Sequence, residues 1–221
     1  MLKQTVLAAA VLLLSASAQA QVSVTADLGT QGAGVHLVVP METYLNGRFG
    51  VNYLKHDFDK TSGSVNYDIK AKLETVDILF DYYPSQASKF RLTGGIIYNG
   101  TNADAVAKPV NGSFSLNGTT YSLADVGVLH GEIDFRKAAP YLGIGWGNAL
   151  SQDGRWQFNA DLGAFYQGKA NVKLVSIGCT TSQAVCKQLV TDVEAERKKL
   201  IDDVSDYKVY PVLRASVSFR F

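Results

Sequence analysis

Apolar and polar residues alternate with a period of two along several stretches of the chain. From Trp156 to Gln167 the even positions are apolar and the odd positions are mostly polar. The C-terminal residues 213–221 repeat this alternation with apolar residues at odd positions. Two shorter stretches, 90–99 and 141–146, repeat it with apolar residues at even positions. Because successive side chains of a strand point to opposite faces, this period predicts amphipathic β-strands.

The alternation and the turn signals between its segments divide the chain into eight strands. A single-chain bacterial barrel with both termini on the same side of the membrane needs an even number of strands, and eight satisfies this condition. The predicted strands are 22–29, 33–39, 47–57, 66–83, 89–102, 128–149, 155–175 and 208–221.

A soluble antiparallel sandwich would also show alternating strands, so other features must distinguish it from a membrane barrel. The apolar faces begin and end in aromatic residues, as in Phe90 with Tyr98 and Trp156 with Tyr166. Aromatic girdles at both membrane interfaces are typical of transmembrane barrels. The chain also ends inside an amphipathic strand, with Phe219 and Phe221 on its apolar face. This ending resembles the C-terminal signal that barrel-assembly machinery reads.

Short polar turns alternate with long loops, as expected for periplasmic turns and extracellular loops of outer-membrane barrels. The short turns are 41–46, 85–88 and 151–154, and the long loops are 58–66, 103–127 and 176–206. In the second long loop, Asn117-Gly118 favours a type I′ hairpin between Phe114 and Tyr121. In the third, residues 191–194 resemble a capping box, which predicts a short amphipathic helix before the last strand. That helix either docks on the barrel rim in solvent, or covers the mouth or contacts lipopolysaccharide.

Two local irregularities need an interpretation. Residues 29–32 must turn a hairpin between the first two strands, and one bulged strand is the alternative. In the fourth strand the apolar positions change phase near Glu74 and Thr75, which predicts a β-bulge there. The charged residues just before the phase change would then point inward or line the rim; they are Asp68, Lys70, Lys72 and Glu74.

The N-terminus has the pattern of a secretory signal peptide. Lys3 provides a positive charge, residues 6–14 form an apolar segment, and residues 18–20 offer small side chains for cleavage. We therefore expect residues 1–20 to be removed and residues 21–221 to form the barrel. The apolar segment is too short for a membrane-spanning helix, which needs about 20 apolar residues.

Charge and cysteine content narrow the function. The chain has 21 Lys+Arg and 20 Asp+Glu, with a net charge of +1, and this balance argues against nucleic acid as a partner. In an exported protein the close pair Cys179 and Cys186 predicts a disulfide. No metal site is expected at the two cysteines, because no histidine lies near them. The sequence also implies no organic cofactor.

The inward faces of the predicted strands carry charges of both signs. The candidate lumen-lining residues are Asp27, Asp77, Asp81, Arg91, Asn159, Asp161 and Arg214, with His36, Asn52, Thr93 and Arg220 also predicted to point inward. Eight strands enclose an interior that side chains can nearly fill. These residues therefore form either a closed, ion-paired core or a narrow path for small zwitterionic solutes.

Catalysis has weaker support in the sequence. His130, Asp134 and a loop serine such as Ser122 provide the residue types of a lipid-hydrolysing triad, but no nucleophile motif accompanies them. We therefore expect no enzymatic activity.

Four stretches resemble the CarO-type outer-membrane proteins, a family described in acinetobacters as carbapenem-resistance-associated and as ornithine uptake porins. The stretches are 29–34, 115–121, 139–145 and 162–168. They consist of glycine and aromatic positions, so no ligand-binding residue can be carried over. The resemblance implies an eight-stranded barrel that passes small or basic amino acids.

Together these observations predict an all-β protein, an eight-stranded antiparallel transmembrane barrel in the bacterial outer membrane. Long extracellular loops and one short helix would complete it. Its expected role is a narrow, porin-like channel for small polar solutes such as amino acids, and the alternative is a closed structural or surface-interaction barrel. The expected partners are outer-membrane lipid, lipopolysaccharide and the barrel-assembly machinery, and we expect a monomer.

Overall fold

The computed structural model describes residues 21–62, 65–85, 88–109 and 112–221, which form mainly antiparallel sheet. The predicted signal peptide lies outside the described residues. The strands are β1 (Ser23–Gly29), β2 (Gly32–Glu42), β3 (Leu45–Ser62), β4 (Val65–Tyr82), β5 (Phe90–Asn99), β6 (Asn102–Pro109), β7 (Ser113–Leu116), β8 (Thr119–Ser122), β9 (Val128–Asp134), β10 (Ala138–Trp146), β11 (Trp156–Tyr166), β12 (Asn171–Ile177) and β13 (Val209–Arg220). Two helices are described, α1 (Leu123–Val126) and α2 (Gln183–Asp203).

Eight of these strands close into a barrel, in the order β1, β2, β3, β4, β5, β10, β11 and β13, with β13 returning to β1. Every pairing in this ring is antiparallel. The predicted eight-stranded antiparallel barrel is therefore confirmed. Gly29 pairs with Gly32 across a tight turn, so the first segment is a hairpin and the alternative of one bulged strand is wrong.

A second sheet continues from one end of the barrel. The first half of β4, from Val65 to Lys72, leaves the ring and pairs with β6, which pairs with β9, which pairs with β12. This sheet lies at the end opposite to the chain termini. In outer-membrane barrels the short turns are periplasmic and the longer connections are extracellular. We therefore call the sheet formed by β6, β9, β12 and the first half of β4 the extracellular sheet.

The extracellular sheet corrects several predicted boundaries. The predicted strand 128–149 is two strands, β9 and β10, and the predicted strand 155–175 is also two, β11 and β12. In each case one strand belongs to the barrel and the other to the extracellular sheet, and alternation alone does not show where the hydrogen-bonded neighbour changes. The predicted loop 58–66 is wrong as well, since β3 continues to Ser62 and β4 begins at Val65.

The predicted bulge in β4 is also wrong. The β3–β4 ladder runs in regular register through the pairs Asn52–Thr75 and Tyr53–Glu74. The phase changes because the surroundings change: in the barrel the outer face meets lipid and is apolar, whereas beyond it the outer face meets water. Asp68, Lys70, Lys72 and Glu74 therefore lie on the outer face of β4, not on its lumen side.

The excursion between β6 and β9 contains the predicted small hairpin, formed by β7 and β8. Asn117 and Gly118 connect these strands with φ of 50° and 83°. Positive φ at both central residues is the geometry of a type I′ turn, so this prediction is confirmed.

The helix predicted before the last strand is present as α2, but it starts earlier than predicted. Its N-cap is Ser182, whose hydroxyl accepts a hydrogen bond from the Val185 N–H at 3.5 Å. Thr191 lies inside the helix, where its hydroxyl donates to the Lys187 carbonyl at 3.3 Å. The helix therefore begins after the serine N-cap, and residues 191–194, which resemble a capping box, lie inside the helix.

Two apolar clusters hold these parts together. Leu189 and Val193 of α2 pack with Leu129, Leu116 and Tyr121 against the face of the extracellular sheet that is continuous with the lumen. The second cluster lies inside the barrel, among Leu79, Ile97, Ala139, Tyr141, Phe165 and Val212. No helix in the described part of the chain is both long and apolar enough to cross a bilayer.

The outer surface of the barrel is an apolar belt. Side chains with large exposed fractions include Leu142 at 75 % and Phe158 at 79 %, and they alternate with buried residues along the same strands. Such an exposed band would be unfavourable in water, and it matches the lipid-facing surface of a transmembrane barrel.

The belt predicts a position-dependent cost for an added charge. Leu162→Arg, in the middle of β11, should destabilise the folded protein in lipid vesicles by about 2–4 kcal/mol, because arginine is placed in hydrocarbon. Val175→Arg on the water-facing side of β12 is the matched control and should cost far less. Urea titrations followed by heat-modifiable gel mobility measure both, and equal costs would contradict the proposed belt.

Candidate functional site

Every barrel strand directs at least one buried polar side chain into the barrel interior, and most of these side chains form a hydrogen-bonded network; the Tyr141 hydroxyl on β10 has no hydrogen-bond partner among the described residues. No member of the following set is more than 5 % exposed. The members are Asp27 on β1, His36 on β2, Arg48 on β3, Asp77 and Asp81 on β4, Arg91 on β5, Tyr141 on β10, Asp161 on β11 and Arg214 on β13. The strand alternation that directs apolar residues to lipid directs these side chains to the lumen.

The first half of the network centres on Asp161, and we call Arg48, Asp81, Arg91 and Asp161 the Asp161 cluster. Arg48 donates to both carboxylate oxygens of Asp161 at 3.1 Å, and to Asp81 Oδ1 at 3.0 Å. Arg91 donates to Asp161 Oδ1 at 2.8 Å. The two-pronged contact of Arg48 fixes the orientation of both groups, as paired guanidinium–carboxylate bonds do.

The second half centres on Asp77, and we call Asp27, His36, Asp77, Arg214 and Gln31 the Asp77 cluster. The His36 ring lies between two carboxylates, with Nδ1 2.7 Å from Asp27 Oδ2 and Nε2 3.0 Å from Asp77 Oδ2. Arg214 donates to Asp77 Oδ2 at 2.7 Å and to Gln31 Oε1 at 2.6 Å. The two carboxylates therefore hold the His36 ring from both of its nitrogens.

Two ion pairs cross the lumen between opposite walls. In the ring of eight strands, β3 and β11 are four strands apart, and so are β4 and β13. Arg48–Asp161 joins the first pair of strands and Arg214–Asp77 joins the second. The four aspartates of the two clusters therefore face three arginines and the His36 ring.

Apolar side chains fill the part of the lumen next to these clusters. Tyr141 and Phe165 belong to the apolar cluster inside the barrel, and Tyr141 lies against Gly143 and Gly163. A Cβ atom at Gly143 would lie 2.5 Å from the Tyr141 hydroxyl, so a glycine is needed for this ring to fit.

The cavity beside the Asp161 cluster is small. A cavity of about 10 Å³ lies beside Arg48, Asp81 and Asn159. Its volume is comparable to that of a single water-sized probe, which is too small for an amino acid. Larger hollows of about 790 and 630 Å³ lie on the lipid-facing surface, beside Leu142 and Phe158.

The structure places all seven candidate lumen residues inside the barrel. Six belong to the two clusters, and Asn159 donates to the Ser218 hydroxyl at 2.8 Å. Arg48 and Gln31 were not among the residues predicted from the sequence. Arg48 could have been found, because Phe49, Val51 and Tyr53 alternate with it along β3, whereas Gln31 lies in a turn where alternation gives no signal.

The predicted disulfide and the predicted assembly-signal residues lie outside the lumen. Cys179 and Cys186 form a disulfide that links the segment after β12 to the first turn of α2, with 6.0 Å between their Cα atoms. Phe219 packs against Trp156 and Phe221, at centroid distances of 4.9 and 5.2 Å, near the chain terminus. Recognition of these phenylalanines by assembly machinery stays a prediction.

The residues considered for a catalytic triad are not assembled. His130 and Asp134 are four residues apart on β9, which separates their backbones by about 13 Å at the rise of a strand. The Ser122 hydroxyl donates instead to Asp125 at 2.7 Å.

A buried hydrogen bond ties α2 to the β7–β8 hairpin. The Tyr121 hydroxyl donates to Asp192, which also accepts from Asn117 at 3.2 Å. Burial and this bond raise the pKa of Tyr121 to about 12. The bonds from Tyr121 and Asn117 lower the pKa of Asp192.

Comparisons with known proteins agree with this architecture. No family model matches the chain, and no curated protein matches it. The fold is similar to the crystal structure of Acinetobacter baumannii CarO2, with 21 % identity, a TM-score of 0.58, and coverage of 92 % of this chain and 100 % of that one. It is also similar to that of Acinetobacter baumannii CarO, with 24 % identity, a TM-score of 0.56, and coverage of 90 % and 97 %. The fold and the apolar belt place the chain in a bacterial outer membrane.

Removal of one charge from the network should be costly. Asp161→Ala leaves Arg48 and Arg91 without their shared carboxylate, so we expect a loss of about 3–5 kcal/mol in the free energy of unfolding. Asp57→Ala breaks only the exposed pair with Lys55 and should cost less than about 1 kcal/mol. Urea denaturation in vesicles compares the two, and a similar small cost for both would mean that the network contributes little.

The Asp192 carboxylate predicts a pH dependence outside the membrane. Because its pKa is lower in the folded state, ionised Asp192 stabilises the docked helix above the ordinary aspartate pKa of about 3.9, and this contribution is lost as pH falls below that value. Hydrogen exchange of α2 amides at pH 6 and pH 3 should show faster opening at pH 3. Asp192→Asn should reduce the difference, and an unchanged pH dependence in that variant would assign it to other groups.

Proposed function

We propose that this protein is a closed outer-membrane barrel that holds an extracellular domain at the cell surface, where the domain binds a partner. This domain consists of the extracellular sheet, the β7–β8 hairpin and α2. The observation that carries the proposal is the pair of crossing contacts, Arg48–Asp161 and Arg214–Asp77. Together with the apolar cluster beside them, they occupy the cross-section through which a solute would have to pass.

The extracellular part is larger than a barrel of this size needs to connect its strands. β6, β9 and β12 form a sheet, the β7–β8 hairpin and α2 pack on it, and the Cys179–Cys186 disulfide joins the helix to the segment after the sheet. A binding surface requires a fixed shape held on a rigid scaffold, and the barrel provides such a scaffold. Outer-membrane lipid, lipopolysaccharide and the barrel-assembly machinery are proposed partners of a monomer.

A narrow, porin-like channel for amino acids is the second candidate. The observation that favours it is the placement of opposite charges on facing walls, with Asp161 and Asp77 across from Arg48 and Arg214. Such walls could contact the ammonium and carboxylate of one solute. Conduction would require both crossing pairs to separate. Each charged side chain would then lose its partner in a region of low dielectric.

Liposome swelling distinguishes the two candidates. Refolded protein is tested with glycine, ornithine, arginine and a neutral sugar, and heat-modifiable gel mobility shows that it is folded. We expect no swelling above empty liposomes for the natural sequence. The quadruple variant Arg48→Ala/Asp161→Ala/Asp77→Ala/Arg214→Ala removes both crossing pairs with all four of their charges and should admit glycine, provided that it folds.

The matched control is Lys55→Ala/Asp57→Ala, which removes an ion pair exposed outside the lumen and should leave the liposomes impermeable. Swelling of the natural protein with amino acids but not with sugar would reject the closed barrel and support the porin-like channel.

A further inference from the structure

The extracellular part of the protein contains a partly open apolar cavity that the closed barrel does not explain. Its volume is about 200 Å³, and it lies between the lumen-side face of the extracellular sheet and Leu200 of α2. The sheet contributes Ile69 from β4 and Leu174 from β12. The remaining lining residues are Ala103, Ala105, Ala107, Leu129, Gly131, Glu132, Ile133, Val172 and Lys173.

Small residues in the middle of the sheet create this space. Ala105 of β6 pairs with Ile69 on one side and with Gly131 of β9 on the other, so two small residues are adjacent in the floor of the cavity. A helix packed on a sheet usually meets larger side chains, which would fill such a gap to native density.

Gly131 is not required by the backbone or by crowding. Its φ is not in the positive range, and a Cβ atom there would make ordinary contacts, 3.7 Å from Leu174 Cδ1 and 3.8 Å from Ala105 Cβ. A glycine in a strand weakens the strand, so a residue with a side chain would be more stabilising here. Because Gly131 has no side chain, room is left in the cavity.

We propose that this cavity is a binding site for a small apolar molecule, either a single ring or a short alkyl chain. An apolar cavity of about 150 Å³ stays dry and binds benzene, so a slightly larger one suits a ligand of this class. The charged groups in the lining, Glu132 and Lys173, pair with each other at 3.0 Å and offer no free charge to a ligand. The site lies outside the barrel lumen and does not depend on whether the barrel conducts.

The test uses the full barrel in lipid nanodiscs with labelled methyl groups, so that binding at the cavity is distinguished from partition into lipid. Indole is the ring probe and 1-hexanol is the alkyl probe. We expect saturable shifts of the methyl signals of Ile69, Leu174 and Leu200 with at least one probe. The Leu142 methyl signals, which face lipid, should change only linearly with probe concentration.

Two glycine variants make the result specific. Gly131→Val fills the cavity and should weaken binding at least tenfold, whereas Gly94→Val adds the same side chain on the barrel and should leave binding unchanged. A Cβ at Gly94 meets only Leu142 Cδ2, at 3.6 Å. Gly131→Ala fills less space and serves if the valine variant does not fold, with weaker binding expected.

Absence of saturable shifts with both probes in the natural protein would overturn the proposal. Equal affinity in natural protein and a folded Gly131→Val variant would also overturn it, because the ligand would then bind elsewhere.

Discussion

Charge pairing across the lumen is the constraint on which the barrel interior depends. A carboxylate taken out of water is strongly destabilising unless opposite charge and hydrogen-bond donors replace its hydration. Asp161 and Asp77 obtain these partners from arginines on opposite walls, and the residues of the Arg48–Asp161 pair are 113 positions apart in the chain. The partners therefore meet only when the sheet has closed, so pairing and barrel closure depend on each other.

The change of surroundings along the strands, from lipid to water, explains why the outer face of β4 changes from apolar to polar residues. In the barrel, β4 directs Ile78 to lipid and Asp77 to the lumen, whereas further along the same ladder Lys70 faces water and Ile69 faces α2. The strand has no bulge, and its pleat continues unchanged. The surroundings of the outer face change from lipid to water, and this change marks the level at which the barrel leaves the membrane.

Much of this fold could be predicted from the sequence, because strand alternation and turn residues are local signals. The eight strands of the barrel, the Gly29–Gly32 hairpin and the type I′ turn at Asn117-Gly118 all followed from such patterns. The lumen position of Asp77 and Arg214 followed from the same alternation. Their mutual contact could not be predicted, because it depends on strand order and stagger around the closed ring. The extracellular sheet was missed for a related reason: β9 and β10 alternate alike, although they pair with different neighbours.

The central claim is that the lumen is closed by its own side chains, and electrical recording tests it most directly. Purified, refolded protein is added to a planar lipid bilayer in concentrated salt, where even a narrow path carries measurable ion current. The crossing pairs Arg48–Asp161 and Arg214–Asp77 predict a silent bilayer, with no discrete conductance steps from folded protein. Reproducible steps of uniform size would contradict a closed barrel and would show that the two pairs separate in the membrane.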